Sequence, residues 1–279
     1  MTVDPVKQIR AERRTSPAIE VRGLRKSYLG RTVLDGIDLT VETGETLVIL
    51  GGSGSGKSTL LRCMLGLERP DAGSVLLQGV DLLSAPPREV KELRQRIGMA
   101  FQGSALFGSL TLAENVDLPL EEFTRLPLST RRIIVRIKLA LVGLQDALDR
   151  YPSELSGGMQ KRAAFARAMA LDPDLLFCDE PSSGLDPVTA AGLDRLLVNL
   201  REVFGVTLVV VTHELQSAFA VADRLALIHR GRFRVMGTPD EVRACQDRVV
   251  RHFLDRVPEE DDEDDERYQR LIRGWESER

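Results

Sequence analysis

Eight residues constrain this chain more than any others: Gly51-Gly52-Ser53-Gly54-Ser55-Gly56-Lys57-Ser58, which fit the pattern G-x-x-x-x-G-K-[ST]. They lie between an apolar run, TLVIL, and a helix predicted over 58–67. A flexible glycine loop would need neither flank. Backbone N–H groups can close around phosphate oxygens only where side chains do not intrude, which explains the glycines. The helix N-terminus adds a partial positive charge at the same place. Lys57 can then reach the outer phosphates, the Ser58 hydroxyl can meet Mg²⁺, and Thr59 follows in the first helical turn.

The rest of the chain narrows the class. At 279 residues it holds one large domain or two small ones. Hydrophobic residues make up 43% and charged residues 29%, enough for a sizeable core, while 5% aromatics leave aliphatic side chains to fill it. The formal net charge of -4 is unevenly spread: Glu259 to Glu266 are eight consecutive acids. Without those and the last 13 residues, which carry four Arg and two Glu, residues 1–258 stand at +2. No strongly basic nucleic-acid footprint follows from that. No apolar run approaches the ~18 to 20 residues of a membrane span, and the start, MTVDPVKQIRAERR, lacks the apolar stretch of a secretory signal. Cys63, Cys178 and Cys245 lie far apart without metal spacing and read as reduced thiols.

Residues 1–16 read as a loose polar arm. AIEVRGL, VLDGIDLTV and ETLVIL read as strands, with Asp35-Gly36 and Thr43-Gly44 as turn signals. SVLLQG and IGMAF read as further strands and 89–96 as a helix. Residues 103–155 differ in character and read as a helical insertion, with Ile133, Ile134, Ile137, Ala140, Leu141 and Leu144 at helical spacing. Helices then alternate with the short apolar runs LLFC, TLVVV and LALI, the pattern of a mostly parallel sheet covered on both faces. Gly231-Arg232 marks a hairpin, and Thr238-Pro239-Asp240-Glu241 a helix start.

Two more segments carry chemistry. The run Leu175 to Cys178 ends in Asp179-Glu180, and acids at the carboxyl end of a parallel strand face the ligand crevice. Asp179 suits Mg²⁺, and Glu180 suits polarising an attacking water, a sufficient kit for phosphoryl transfer. Leu155-Ser156-Gly157-Gly158-Met159-Gln160 precedes the strong helix KRAAFARAMA, so Ser156, Gly157 and Gly158 open a second anion-binding helix start.

LSGGM, GGSGSGKS, LLFCDEP and Ser183-Gly184-Leu185-Asp186 together resemble the nucleotide-binding subunit of ATP-binding cassette (ABC) transporters over about residues 17–245. The resemblance implies an α/β fold, a P-loop NTPase of ABC type, with a mostly parallel core sheet, an N-terminal antiparallel β subdomain and a helical insertion. It implies a cassette over 17–247 and a C-terminal extension over 248–279. Its cofactors would be ATP and Mg²⁺, its activity ATP hydrolysis. Two copies would pair head to tail, Ser156 and Gly158 of one capping the ATP held by the other. Met159 stands where the family usually has Gln. Gln102, after IGMAF, is similar to the family's glutamine that reaches Mg²⁺ and the attacking water. His213, ending TLVVVT, matches its switch histidine, and Tyr28 its adenine-stacking aromatic.

A single cassette must use a pore from another chain, so an integral membrane permease is the implied partner, placing this chain peripherally at the cytoplasmic face of the inner membrane. Phe101 to Thr111, Glu114 to Val116 and Thr212 to Arg224 resemble the ATPase of MCE-associated phospholipid transporters, which implies a membrane-anchored MCE-type lipid-binding protein as a further partner. A polar amino-acid importer shares much of this text, and a non-transport ABC ATPase or a P-loop kinase are the alternatives from other classes. The apolar text ALFGSL fits permease docking. After the acid run, Tyr268, Leu271, Ile272 and Trp275 form one apolar stripe at helical spacing, a candidate clasp on a cassette surface.

Overall fold

The five residues TLVIL at 46–50 are all buried, which a strand achieves only in the middle of a sheet covered on both faces. The surrounding architecture follows in chain order from a computed structural model that describes residues 17–257. The expected N-terminal arm, the acid run and the Tyr268–Trp275 stripe lie outside the described residues.

Strands β1 (Ile19–Tyr28) and β2 (Arg31–Val41) form an antiparallel pair, followed by β3 (Thr46–Leu50) and helix α1 (Lys57–Met64). Next come β4 (Ala72–Leu77), β5 (Val80–Asp81), α2 (Pro87–Arg94) and β6 (Ile97–Ala100). Helices α3 (Leu112–Phe123), α4 (Leu128–Leu141) and α5 (Gly157–Ala168) precede β7 (Leu175–Asp179). Then follow α6 (Pro187–Phe204), β8 (Thr207–Thr212), α7 (Leu215–Val221), β9 (Arg224–His229) and β10 (Arg232–Gly237). Helices α8 (Pro239–Ala244) and α9 (Arg248–Leu254) close the described chain.

The strands build two sheets. One is antiparallel, in the order β2-β1-β4-β5; the other runs β10-β9-β3-β8-β7-β6, all parallel except for its antiparallel edge strand β10. This is the expected α/β class with an N-terminal antiparallel unit. Period-2 alternation sorts the core strands between two layers. Val48, Leu50, Leu176, Cys178, Leu208 and Val210 point to the face covered by α3 to α6. Leu47, Ile49, Leu175, Phe177, Val209 and Val211 point to the face covered by α1 and the antiparallel sheet. Each buried aliphatic side chain contributes about 1.5–3 kcal/mol. Residues 248–254, expected to begin the extension, form α9, with Val250 fully buried against the body.

Two local expectations differ. Asp35-Gly36 is no turn: it lies inside β2, where Gly36 takes φ 72 and the register with β1 shifts between Leu24↔Ile37 and Arg25↔Asp35. Glycine's tolerance of positive φ serves a bulge as readily as a turn. The reversal comes instead at Leu29-Gly30. On α4, Ile133, Ile137 and Leu141 are exposed, while Val135 and Leu139 are buried. That helix carries apolar residues on two faces, and packing selects one.

Candidate active site

Loop 51–56 connects buried β3 to α1, and its shape is enforced by crowding. A Cβ on Gly51 would stand 2.5 Å from the Ile228 carbonyl oxygen, and one on Gly56, at φ 109, would stand 2.9 Å from that of Val33. Lys57 Nζ folds back to donate to the carbonyls of Gly51 (2.7 Å) and Gly52 (2.9 Å). Burial pushes the Lys57 pKa down, and the carboxylates of Glu180 and Asp179 pull it up. The ammonium is thus parked on weak neutral acceptors beside two acids, positioned to move onto a stronger anion. Ser55 Oγ is buried with no hydrogen-bond partner among the described residues. An orphaned hydroxyl inside a glycine-rich turn suits a phosphate ligand.

At the carboxyl end of β7, Asp179 Oδ1 is likewise buried and unpartnered. Burial raises the Asp179 pKa first and Glu180 raises it further, against Arg62, Lys57 and Lys161. A carboxylate in that state fits a cation. Asp179, the Ser58 hydroxyl and Gln102 would supply the sparse oxygen donors that Mg²⁺ accepts alongside phosphate oxygens. Glu180 takes φ 48, a conformation that non-glycine residues seldom adopt and that clusters at functional sites. Its Oε2 accepts from Thr212 Oγ1 (3.1 Å) and the His213 N–H (3.3 Å), and lies 2.9 Å from His213 Nδ1. The carboxylate is buried and the imidazole half exposed, so the pair presents an inner acceptor and an outer, movable ring.

One cleft of 670 Å³ brings Gly52, Ser53, Gly54, Lys57, Ser58, Gln102, Glu180 and His213 together. An adjoining one of 580 Å³ joins Tyr28 to residues 54–59, Arg230 and Gly231. Tyr28 is thereby placed beside the phosphate loop, on the side away from Glu180. Ser156, Gly157 and Gly158 line neither cleft. Ser156 caps α5, accepting from the Met159 N–H at 3.3 Å, with its own side exposed. Gly158 packs so closely on α6 that a Cβ would meet Thr189 Cγ2 at 2.5 Å.

The family model described as ABC transporter matches residues 34–183, more than half of the chain. The chain belongs to the ABC transporter family. It is an ATP-binding, ATP-hydrolysing cassette. A probable ribonucleotide transport ATP-binding protein of Mycobacterium tuberculosis is 41% identical over 237 residues, 85% of this chain and 66% of that protein. The cassette thus spans just under two thirds of that relative's length. An intermembrane phospholipid transport system ATP-binding protein, MlaF, of Haemophilus influenzae is 40% identical over 236 residues, covering 85% of this chain and 89% of that protein. A methionine import ATP-binding protein, MetN, of the same organism is 42% identical over 211 residues, 76% of this chain and 61% of that one. Among solved structures, a dimeric post-hydrolysis state of an ATP-binding cassette bound to ADP and Pi superposes with TM-score 0.73. It shares 32% identity and covers 79% of this chain and 98% of that one.

Sequence reasoning passed over several residues of the cassette's site. Lys161 is buried on α5 and donates to the carbonyls of Gln102 and Glu180. Its signal was a lysine sharing a helix face with Ala164 and Phe165, an inward address for a charge. His252, Phe253, Arg256 and Val257, around the end of α9, line the cleft that holds Glu180. Their position follows from how α9 docks, and local sequence carries no trace of it. Arg167 ties down the loop after Gln102 by donating to the carbonyls of Ser104 (3.0 Å) and Ala105 (2.7 Å).

Proposed function

We propose that this cassette works as a head-to-tail homodimer and powers a membrane transporter that moves phospholipid between the inner membrane and the periplasm or outer membrane. One observation carries the dimer: Lys57, Ser58, Gln102, Glu180 and His213 share a cleft, whereas Ser156 to Gly158 open onto solvent elsewhere. A triphosphate in that cleft lacks the second helix start unless another copy supplies it.

In this reading Lys57 leaves its loop carbonyls for the β- and γ-phosphates, and the loop N–H groups and α1 N-terminus hold their oxygens. Tyr28 stacks on the base. Glu180, its carboxylate fixed by Thr212 and the His213 backbone, accepts a hydrogen bond from the attacking water and orients it in line with the γ-phosphorus. The water oxygen bonds to the γ-phosphorus as the bond from phosphorus to the bridging oxygen breaks; ADP departs with that oxygen, and the water's proton passes by way of Glu180 to the released phosphate. His213 contacts the γ-phosphate, and Gln102 senses it. Mg²⁺, held by Ser58, Asp179 and Gln102, supplies neutralisation of the phosphate charge when bound.

The cargo reading is supported by likeness to the phospholipid-system relative over most of both chains. It brings a permease seated near Phe101 to Leu120 and an MCE-type protein as partners, with the cassette on the cytoplasmic face. Likeness to the methionine import relative favours a second reading, an amino-acid importer. Affinity purification of the full chain from its native membrane separates them. The first reading expects a permease together with a membrane-anchored lipid-binding MCE protein. An importer permease without any MCE protein would replace it with the second.

A further inference from the structure

Helix α5 is capped by Ser156, the residue assigned above to the partner's nucleotide, and carries Lys161 about 7 Å further along its axis. Only 8% of Lys161 is exposed, and its ammonium is shared between two backbone carbonyls. One belongs to Gln102, just past β6, and the other, at 3.2 Å, to Glu180, just past β7. β6 and β7 are neighbouring parallel strands, so both carbonyls lie on one rim of the sheet. Burial lowers the Lys161 pKa, and the carboxylates of Glu180, Asp179 and Glu214 oppose that shift.

A single side chain therefore joins the helix that serves one ATP to the two residues that act on the other. A shift of α5 changes the donor geometry at both carbonyls. The Glu180 carbonyl also accepts from the Ser183 N–H at 3.3 Å, so a shift of α5 acts on the Gln102 backbone and on the turn that follows β7 through this one ammonium. We propose that Lys161 is a positioning residue that couples the two composite ATP sites, setting the place of Gln102 and Glu180 in one copy according to the ATP that its α5 meets in the other. This inference rests on the head-to-tail reading.

The test is steady-state hydrolysis of MgATP by the full chain and its Lys161→Met, Lys161→Gln and Lys161→Arg variants. Binding of a fluorescent ATP analogue and thermal melts are recorded alongside. Lys161→Met should bind the analogue within about twofold of wild type, because Lys161 does not touch the nucleotide. Its kcat should fall at least about tenfold, since a misplacement of ~1 Å can cost two orders of magnitude. Its Hill coefficient for ATP should drop to 1. Lys161→Arg should restore both values, because a guanidinium retains donors for two carbonyls. If Lys161→Met does not melt cooperatively, Lys161→Gln decides by the same two readouts. A folded variant with wild-type kcat and Hill coefficient overturns the assignment, as does one that loses kcat while remaining cooperative. A wild-type chain that hydrolyses ATP without cooperativity overturns the dimer reading as well. A cooperative wild type matched by Lys161→Met overturns only the role of Lys161.

Discussion

At residue scale, Glu180 combines a left-handed backbone, a buried carboxylate and two donors converging on Oε2, with His213 Nδ1 2.9 Å away. Glu180→Gln keeps the shape and loses the charge. It should bind ATP normally, accumulate as an ATP-bound dimer by gel filtration, and lose about 10²-fold or more in kcat. Wild-type turnover in that variant would end the assignment. The three cysteines offer a second check. Burial pushes the Cys63 thiol up to about 11 and the Cys178 thiol higher still, and Cys245 alone is partly exposed. Thiolate is the reacting species, so a chromogenic disulfide should titrate one thiol quickly in the native protein. The other two should respond only on unfolding; three fast thiols would contradict the packing around β7 and α1.

At the scale of elements, the phosphate loop is held by its neighbours as much as by its own glycines. Gly51→Ala should destabilise the protein by about 1–3 kcal/mol, because backbone at Ile228 in β9 blocks the new methyl group. Chemical denaturation measures this, and an unchanged midpoint would show that β9 yields. The two sheets are also tied by charge. Arg232 on β10 bonds the Asp35 carboxylate on β2 and holds its pKa below the ordinary 3.8. A depressed acid stabilises the fold above the unfolded value, and that contribution disappears as pH falls through the lower folded value. The melting temperature of wild type should therefore decline more steeply below about pH 4 than that of Asp35→Asn. Parallel curves would show that this exposed pair contributes nothing, as many do.

For the whole molecule, the two phosphate-type helix starts open in different places, and the proposed head-to-tail pairing makes activity a property of the pair. Lys57→Ala and Ser156→Arg should each be inactive as homodimers. Mixed, they should regain turnover, because one of the two sites in a hybrid dimer then carries both intact loops. Silence in the mixture, with hybrid dimers demonstrated, would count against composite sites. The exposed stripe Ile133, Ile137 and Leu141 on α4 and the exposed Phe107 lie on the insertion, away from the nucleotide clefts. Charge at Phe107 should impair coupling of hydrolysis to transport in the assembled transporter while leaving the free chain's ATPase unaltered.

The amino-acid sequence by itself determined the elements whose chemistry is local. GGSGSGKS between a buried strand and a helix, Asp179-Glu180 at a strand end, and Ser156 as a helix cap are each complete within a dozen residues. The alternation of helices with the continuous apolar runs LLFC, TLVVV and LALI was enough to place a parallel sheet covered on both faces at the centre. Tertiary structure alone decided the rest. Asp35-Gly36 has the same text whether it makes a turn or a bulge, and pairing with β1 chose the bulge. Helix α4 has two apolar faces, and the neighbours of Val135 and Leu139 chose which one to bury. Lys161 reaches Gln102 across 59 positions of sequence and Glu180 across 19, and α9 brings Arg256 to the cleft from the far end of the described chain. Such contacts depend on where helices dock against a sheet, an outcome set by the summed packing of both cores.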